Sequence, residues 1–214
     1  MPIRNVPQNE DGCLKKLGCG CLVVIILFII VGVFAYQGLK TLAVQKTETA
    51  PVELPAIAIS AAEQNAVAQR WSTFVKTVRS GQGDAAELSL TAQEINALIQ
   101  RSPKWAGRIY VHIEDDRIRS DVSIPLGELT KAASLKGRWL NGSAGFSVNT
   151  VGGKLVVFLD SLTVRGKPAS SSFLNAVRSR NLAEGALNNP KYADVMRRIE
   201  SIDVRDDRLV IKAK

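Results

Sequence analysis

Residues Leu17 to Tyr36 form an apolar run of 20 residues, in which only Gly18, Gly20 and Gly32 fall outside the hydrophobic class and none is charged. An α-helix rises about 1.5 Å per residue, so this run would reach about 30 Å, the hydrocarbon thickness of a bilayer. A buried core helix would carry a polar stripe, and Leu22–Ala35 has none. A cleaved signal peptide is the closer competitor, because Val33-Phe34-Ala35 resembles a small-x-small cleavage site. The run is longer than the roughly 7–15 apolar residues of such a peptide, so the expectation is a retained single-pass anchor. Arg4, Lys15 and Lys16 precede it, Lys40 and Lys46 follow it, and Lys15-Lys16 abut it. The positive-inside rule then puts the N-terminus in the cytoplasm and the C-terminal part outside the cell membrane, in the periplasm of a Gram-negative cell.

The resulting organisation is a cytoplasmic segment 1–16, a transmembrane helix 17–36, a linker 37–59 and an extracytoplasmic domain 60–214. Thr47-Glu-Thr-Ala-Pro51 and Pro55 favour extended chain in the linker. Cys13, Cys19 and Cys21 all lie at or before the start of the apolar run. A structural zinc site wants four ligands, and no second cluster exists to complete one. Acylation at the cytoplasmic boundary is the functional alternative to small residues packing at a helix entrance.

Two helices are expected first in the domain. Ser60-Ala-Ala-Glu63 is a capping box, followed by Val67, Trp71, Phe74 and Val78 at helical spacing, with Gly81-Gln-Gly83 as the stop. Thr91-Ala-Gln-Glu94 is a second capping box, with Leu90 and Ile95 placed as its staple and Ser102-Pro103 as its end. The period then changes to two. Ile109, Val111 and Ile113 alternate with Tyr110 and His112, and an acidic turn leads to Ile118, Val122 and Ile124, a hairpin. Asn141-Gly142 reads as another turn, and Gly152-Gly153 as a two-residue hairpin turn between Phe146-x-Val148 and Leu155–Leu159. Leu162 and Val164 extend that strand or start another after a bulge. Helices are expected after Ser170-Ser171-Ser172 and from Asn189-Pro190 through Val195, Met196 and Ile199. Ile202-x-Val204 and Leu209-x-Ile211 close the chain as a hairpin. Its Asp206-Asp-Arg-Leu209 echoes Asp115-Asp-Arg-Ile118, two similar turns. The expected fold class is α+β, one antiparallel sheet of about 5–6 strands with about 4 helices on one face.

Chemistry is sparse in this sequence. The single histidine, His112, leaves little room for imidazole catalysis, although Asp121 could sit near it. Asn141-Gly-Ser143-Ala-Gly145 lacks the glycine two places before the serine that a nucleophile elbow needs. Gly152-Gly-Lys154 lacks the phosphate-loop spacing, and the acidic turns lack the spacing of a calcium loop. No catalytic, cofactor-binding or metal-binding residues are therefore assigned. From Pro51 onward, 23 Lys+Arg against 17 Asp+Glu leave a charge of +6. Arg178, Arg180, Arg197 and Arg198, with Arg101 and Lys104, could form a basic face. No nucleic-acid motif accompanies them, and anionic lipid or an acidic envelope polymer suits an exported domain better, with plain solvated helix faces as the alternative. Trp105 and Trp139 fall in loop-like segments, where aromatics either plug the core or line a ligand groove. With Tyr110 they are the candidate ligand or partner contacts.

Leu90-Thr-Ala-Gln-Glu-Ile-Asn-Ala-Leu98, the hairpin through Ile124-Pro125, Leu140-Asn141-Gly142, Leu162-Thr-Val-Arg-Gly166 and the closing hairpin make a pattern over just more than half the chain. The pattern resembles bacterial proteins with one N-terminal membrane helix and a small α+β extracytoplasmic domain, of which the YpmS-like family is one. The resemblance implies an envelope-associated, non-enzymatic domain and carries over no functional residues. The function expected is a membrane-anchored binding module for a lipid-like ligand or envelope protein. The alternative is an assembly subunit of a membrane complex with no small-molecule ligand.

Overall fold

The computed structural model describes residues 47–81, 86–129, 135–151, 154–178, 180–184 and 197–214. The apolar run, the three cysteines and the expected helix at Asn189-Pro190 lie outside the described residues. Among the described residues no helix is long and apolar enough to cross a membrane.

The two capping boxes start helices where the sequence places them. Helix α1 (Ala61–Ser80) begins with Ser60 as N-cap, whose hydroxyl accepts from the Glu63 N–H while the Glu63 carboxylate accepts from the Ser60 N–H. It ends at Gly81, whose φ of 63° is a left-handed geometry that suits glycine. Its buried stripe is Val67, Ala68, Trp71, Phe74, Val75 and Val78. Helix α2 (Ala92–Gln100) starts at Thr91 with the same reciprocal bonds and buries Ile95 to Ile99.

Among the described residues eight strands make two antiparallel sheets where one was expected. The smaller sheet has the order β1 (Glu87–Thr91), β8 (Arg208–Ala213), β7 (Ile199–Arg205). The larger runs β2 (Ile109–Glu114), β3 (Arg117–Pro125), β4 (Trp139–Val151), β5 (Lys154–Val164), β6 (Lys167–Pro168). Short helices α3 (Leu126–Leu129) and α4 (Ser171–Arg178) complete the described elements. The class is α+β. Leu88 and Leu90 alternate inward in β1, a strand unforeseen because its partner β8 lies far along the chain. Ile199 opens β7 and is not a helical residue, because it pairs with Ala213.

The Asn141-Gly142 turn is corrected too. Both residues lie inside β4, which pairs continuously with β3. Glycine is required there for close approach, since a Cβ on Gly142 would collide with the Thr163 carbonyl oxygen of β5. Val151 pairs with Lys154, and the Gly152-Gly153 turn expected between them lies outside the described residues. Strand β5 continues through Leu162 and Val164 across a register shift between Gly145 and Phe146.

Helices α1 and α2 and the inner faces of both sheets share one core cluster, from Trp71 and Phe74 through Ile109, Phe146 and Val157 to Ile202 and Ile211. Polar side chains close the strand edges. Asn96, itself buried, donates through Nδ2 to the Val111 carbonyl at 2.7 Å and accepts from the Val111 N–H at 2.7 Å. A helical amide thus acts as the missing neighbour of edge strand β2. Asn181 serves β5 alike, accepting from the Val157 N–H and donating to the Leu155 carbonyl. Thr150 Oγ1 accepts from the Ile202 N–H at 2.8 Å, which ties β4 to β7.

Candidate functional site

The five-stranded sheet has an inner face of Ile118, Ala144, Phe146, Val157 and Leu159, all buried. Away from the end covered by residues 48–52, its outer face is half-buried to exposed, and strand alternation decides what stands there. Tyr110 and His112 project from β2, Arg119 and Asp121 from β3, with Tyr110 opposite Asp121 and His112 opposite Arg119. Cross-strand diagonals bring these side chains into reach. His112 Nε2 lies 2.7 Å from Asp121 Oδ2, and an Arg119 guanidinium N–H donates to Asp121 Oδ1 at 2.9 Å. The Tyr110 ring tilts against the imidazole at 4.9 Å between centroids.

Both Asp121 oxygens are thereby engaged, one by imidazole and one by guanidinium. Such a set can present fixed donors, acceptors and an aromatic face to a partner. Catalysis needs a nucleophile or substrate proton within reach of the base. The described contacts of His112 are carboxylates, Asp121 and the Glu114 oxygen at 4.0 Å, and a ring. Ser143, the serine of the elbow-like motif, sits mid-strand opposite Asp121 and Thr163, without a strand-to-helix turn.

Farther along this face stand apolar side chains. Phe158, opposite Ser147, is exposed, Val156 is half-buried, and Val151 is 64% exposed at the hairpin end. The other end is clasped by the chain entering the domain. Glu48 and Trp139 exchange backbone hydrogen bonds of 2.9 Å and 2.7 Å as an antiparallel bridge. Arg138 donates to the Thr47 hydroxyl at 2.7 Å and to the Thr47 carbonyl at 2.6 Å. Asn141 donates through Nδ2 to the Glu48 carboxylate and the Ala50 carbonyl, and its Oδ1 accepts from Ser123. Ser123 Oγ in turn accepts from the Val52 N–H at 3.0 Å. Ser123 and Asn141 are buried polar residues on an outer face because residues 48–52 cover them.

The three aromatic candidates separate. Trp105 is 4% exposed and belongs to the core, with the Lys104 ammonium 4.9 Å above its ring. Trp139 is half-buried at the clasp, and Tyr110 is half-buried beside His112. Trp71 is fully buried, as its place in the helical stripe implies. Sequence reasoning missed Asn141 and Ser123 as anchors. The signal available was a pair of small polar residues at strand positions whose neighbours alternate inward. The basic residues of the late helix are engaged locally, since Arg178 donates to the Asp160 carbonyl. Arg101 donates to Asn65 near the N-terminal half of α1.

Two carboxyls sit below their ordinary range. Arg108 donates to both oxygens of Glu128, at 2.5 Å and 3.1 Å, and holds that carboxyl down. The Ser60 hydroxyl and backbone N–H do the same for Glu63 at the start of α1. A cavity of about 230 Å³ at the end of α1 is lined by Thr77, Val78, Ala86, Arg197, Arg198 and Lys214, among others. That is below the roughly 300–1,000 Å³ of sites that bury a drug-sized ligand. Among the described residues no three His, Cys, Asp or Glu side chains converge as metal ligands would. No protein-family model, no curated protein and no solved structure matches this chain.

Proposed function

We propose that this is a single-pass membrane protein whose C-terminal domain works outside the cytoplasmic membrane as a binding module. It engages an envelope protein through the outer face of its five-stranded sheet and performs no chemistry. The observation that carries this reading is the exposure of Phe158 and Val151 on the open face of a sheet whose inner face is fully packed. Exposed apolar groups beside an ordered polar cluster are the composition of a partner surface. The cluster of Tyr110, His112, Arg119 and Asp121 supplies the orienting polar contacts. Nucleic acid is a poor partner for this face, where a carboxylate sits among the cations.

The cavity at the end of α1, small and lined by Arg197, Arg198 and Lys214, does not suit a lipid-like cargo. The assembly-subunit reading uses the same face and differs only in permanence. Site-specific photo-crosslinking in intact cells tests the proposal, with the probe at position 119 on the sheet face or at position 76 on the exposed side of α1. A discrete adduct from position 119 alone is expected. Equal, diffuse adducts from both positions contradict a dedicated face. Lipid recovered in stoichiometric amount from the purified chain by mass spectrometry would restore the carrier reading.

A further inference from the structure

We infer that the clasped end of the five-stranded sheet docks on an anionic lipid surface and holds the domain upright on the membrane. This rests on the anchored reading above. Residues 47–52 enter the domain at that end, through the Thr47, Glu48 and Val52 contacts to Arg138, Trp139 and Ser123. Ten residues, 37–46, separate the apolar run from the first pinned residue. Fully stretched, that connection covers at most about 35–40 Å. The clasped end therefore cannot leave the neighbourhood of the bilayer.

Charge is distributed along the sheet to match. Backbone bonds from Ser123 to Arg108, Leu126 to Arg138 and Arg165 to Asn141 gather three connections at the clasped end. They bring Lys104, Arg108, Lys136, Arg138, Arg165 and Lys167 to one side of the molecule. Glu48, Glu53 and Glu128 lie among them, Glu48 ion-paired to Arg165 and Glu128 to Arg108. The opposite end carries the hairpin turns, where Glu114, Asp115, Asp116, Asp206 and Asp207 stand with Arg117, Lys154, Arg205 and Arg208, five carboxylates to four cations. A domain with cations near its tether and carboxylates far from it is turned by a negative surface so that the cations face the lipid. An acidic polymer or protein could also attract the cations. Only the membrane is held within reach of them by the chain itself.

The test is amine footprinting of the full chain in nanodiscs. Lys104, Lys136 and Lys167 report the clasped end, and Lys154 reports the far end. In phosphatidylglycerol discs the three should label at least about fivefold more slowly than in phosphatidylcholine discs, the shift that one surface-held charge gives. Lys154 should label equally in both. High salt should abolish the difference. The Lys136→Glu variant should weaken protection at Lys104 and Lys167. Equal labelling of all four lysines in both lipids, with the chain retained in the discs, overturns the docking and leaves the anchor standing. Slowing at Lys154 as large as at the other three also overturns it. A chain that does not stay with either disc overturns the docking and the anchor together.

Discussion

The backbone N–H of Asp116 donates to Asp207 Oδ1 at 3.2 Å, and the backbone N–H of Asp207 donates to Asp116 Oδ1 at 2.9 Å. Two hairpin tips of the same sequence, one from each sheet, thus hold each other by a reciprocal pair of bonds. Asp115, Asp116, Asp206 and Asp207 all have φ between 52° and 56°, the left-handed geometry of a two-residue hairpin turn. Aspartate tolerates that geometry and also supplies the acceptor oxygen.

Replacing either acceptor should therefore loosen the junction of the sheets. Asp116→Ala and Asp207→Ala are each expected to cost about 1–2 kcal/mol, from the lost bond plus the strain of alanine at positive φ. Asp→Asn at either position keeps the oxygen and the backbone tolerance and should stay near wild type. Denaturant unfolding of the detergent-solubilised chain checks this. A double-mutant cycle should show positive coupling between the two sites.

Asn96 predicts a larger loss. Removing its amide strands the Val111 N–H and C=O, each unpaired and buried, at about 1–3 kcal/mol per group. Asn96→Leu should destabilise by about 2–6 kcal/mol on that basis. Amide exchange at Val111 should accelerate ahead of exchange elsewhere in β2. A variant with unchanged stability would mean that the edge finds another partner.

Gly142→Ala tests the close approach of β5 to Gly142. In an ordinary strand, alanine for glycine gains about 0.5–1 kcal/mol. Here the new methyl meets the Thr163 carbonyl, and overpacking of this kind costs about 1–3 kcal/mol. The sign of the change, read from the unfolding midpoint, decides between the two geometries.

Acid should release the Arg108–Glu128 pair. The Glu128 carboxyl is held below its ordinary value of 4.5 by the guanidinium, so its contribution is present above that value and is lost as pH falls through the depressed one. Carboxyl-carbon NMR should place the Glu128 midpoint below 4.5, and Arg108→Gln should return it toward 4.5. Glu63 should respond in the same way to Ser60→Ala, because its depression comes from Ser60 first.

Local signals were read well from the sequence. Ser60-x-x-Glu63 and Thr91-x-x-Glu94 carry their whole geometry within four residues, so both helix starts were legible. The Asp115-Asp116 and Asp206-Asp207 turns were legible for the same reason, but their contact was not, since it spans 91 positions. Strand partnership was the other loss. Leu88 faces Ile211 in β1–β8, and nothing near Leu88 reveals that pairing or the division into two sheets. An Asn-Gly pair reads as a turn unless one knows that Thr163 crosses against it. Of the candidate contacts, Tyr110 was placed on the outer face by alternation alone. Trp105 could not be assigned to core or groove until the packing of the loop around it was seen. The extended composition of residues 47–52 marks a plain linker and does not reveal that Asn141 and Ser123 receive it.

The central claim is that Leu17–Tyr36 anchors the chain and places the sheet domain outside the cytoplasm. Alkaline phosphatase fused after Lys214 measures this directly, because the enzyme folds only after export. The account predicts an active fusion in intact cells, resistant to alkaline carbonate extraction. A fusion that is stable, full-length and inactive would contradict it and return the domain to the cytoplasm.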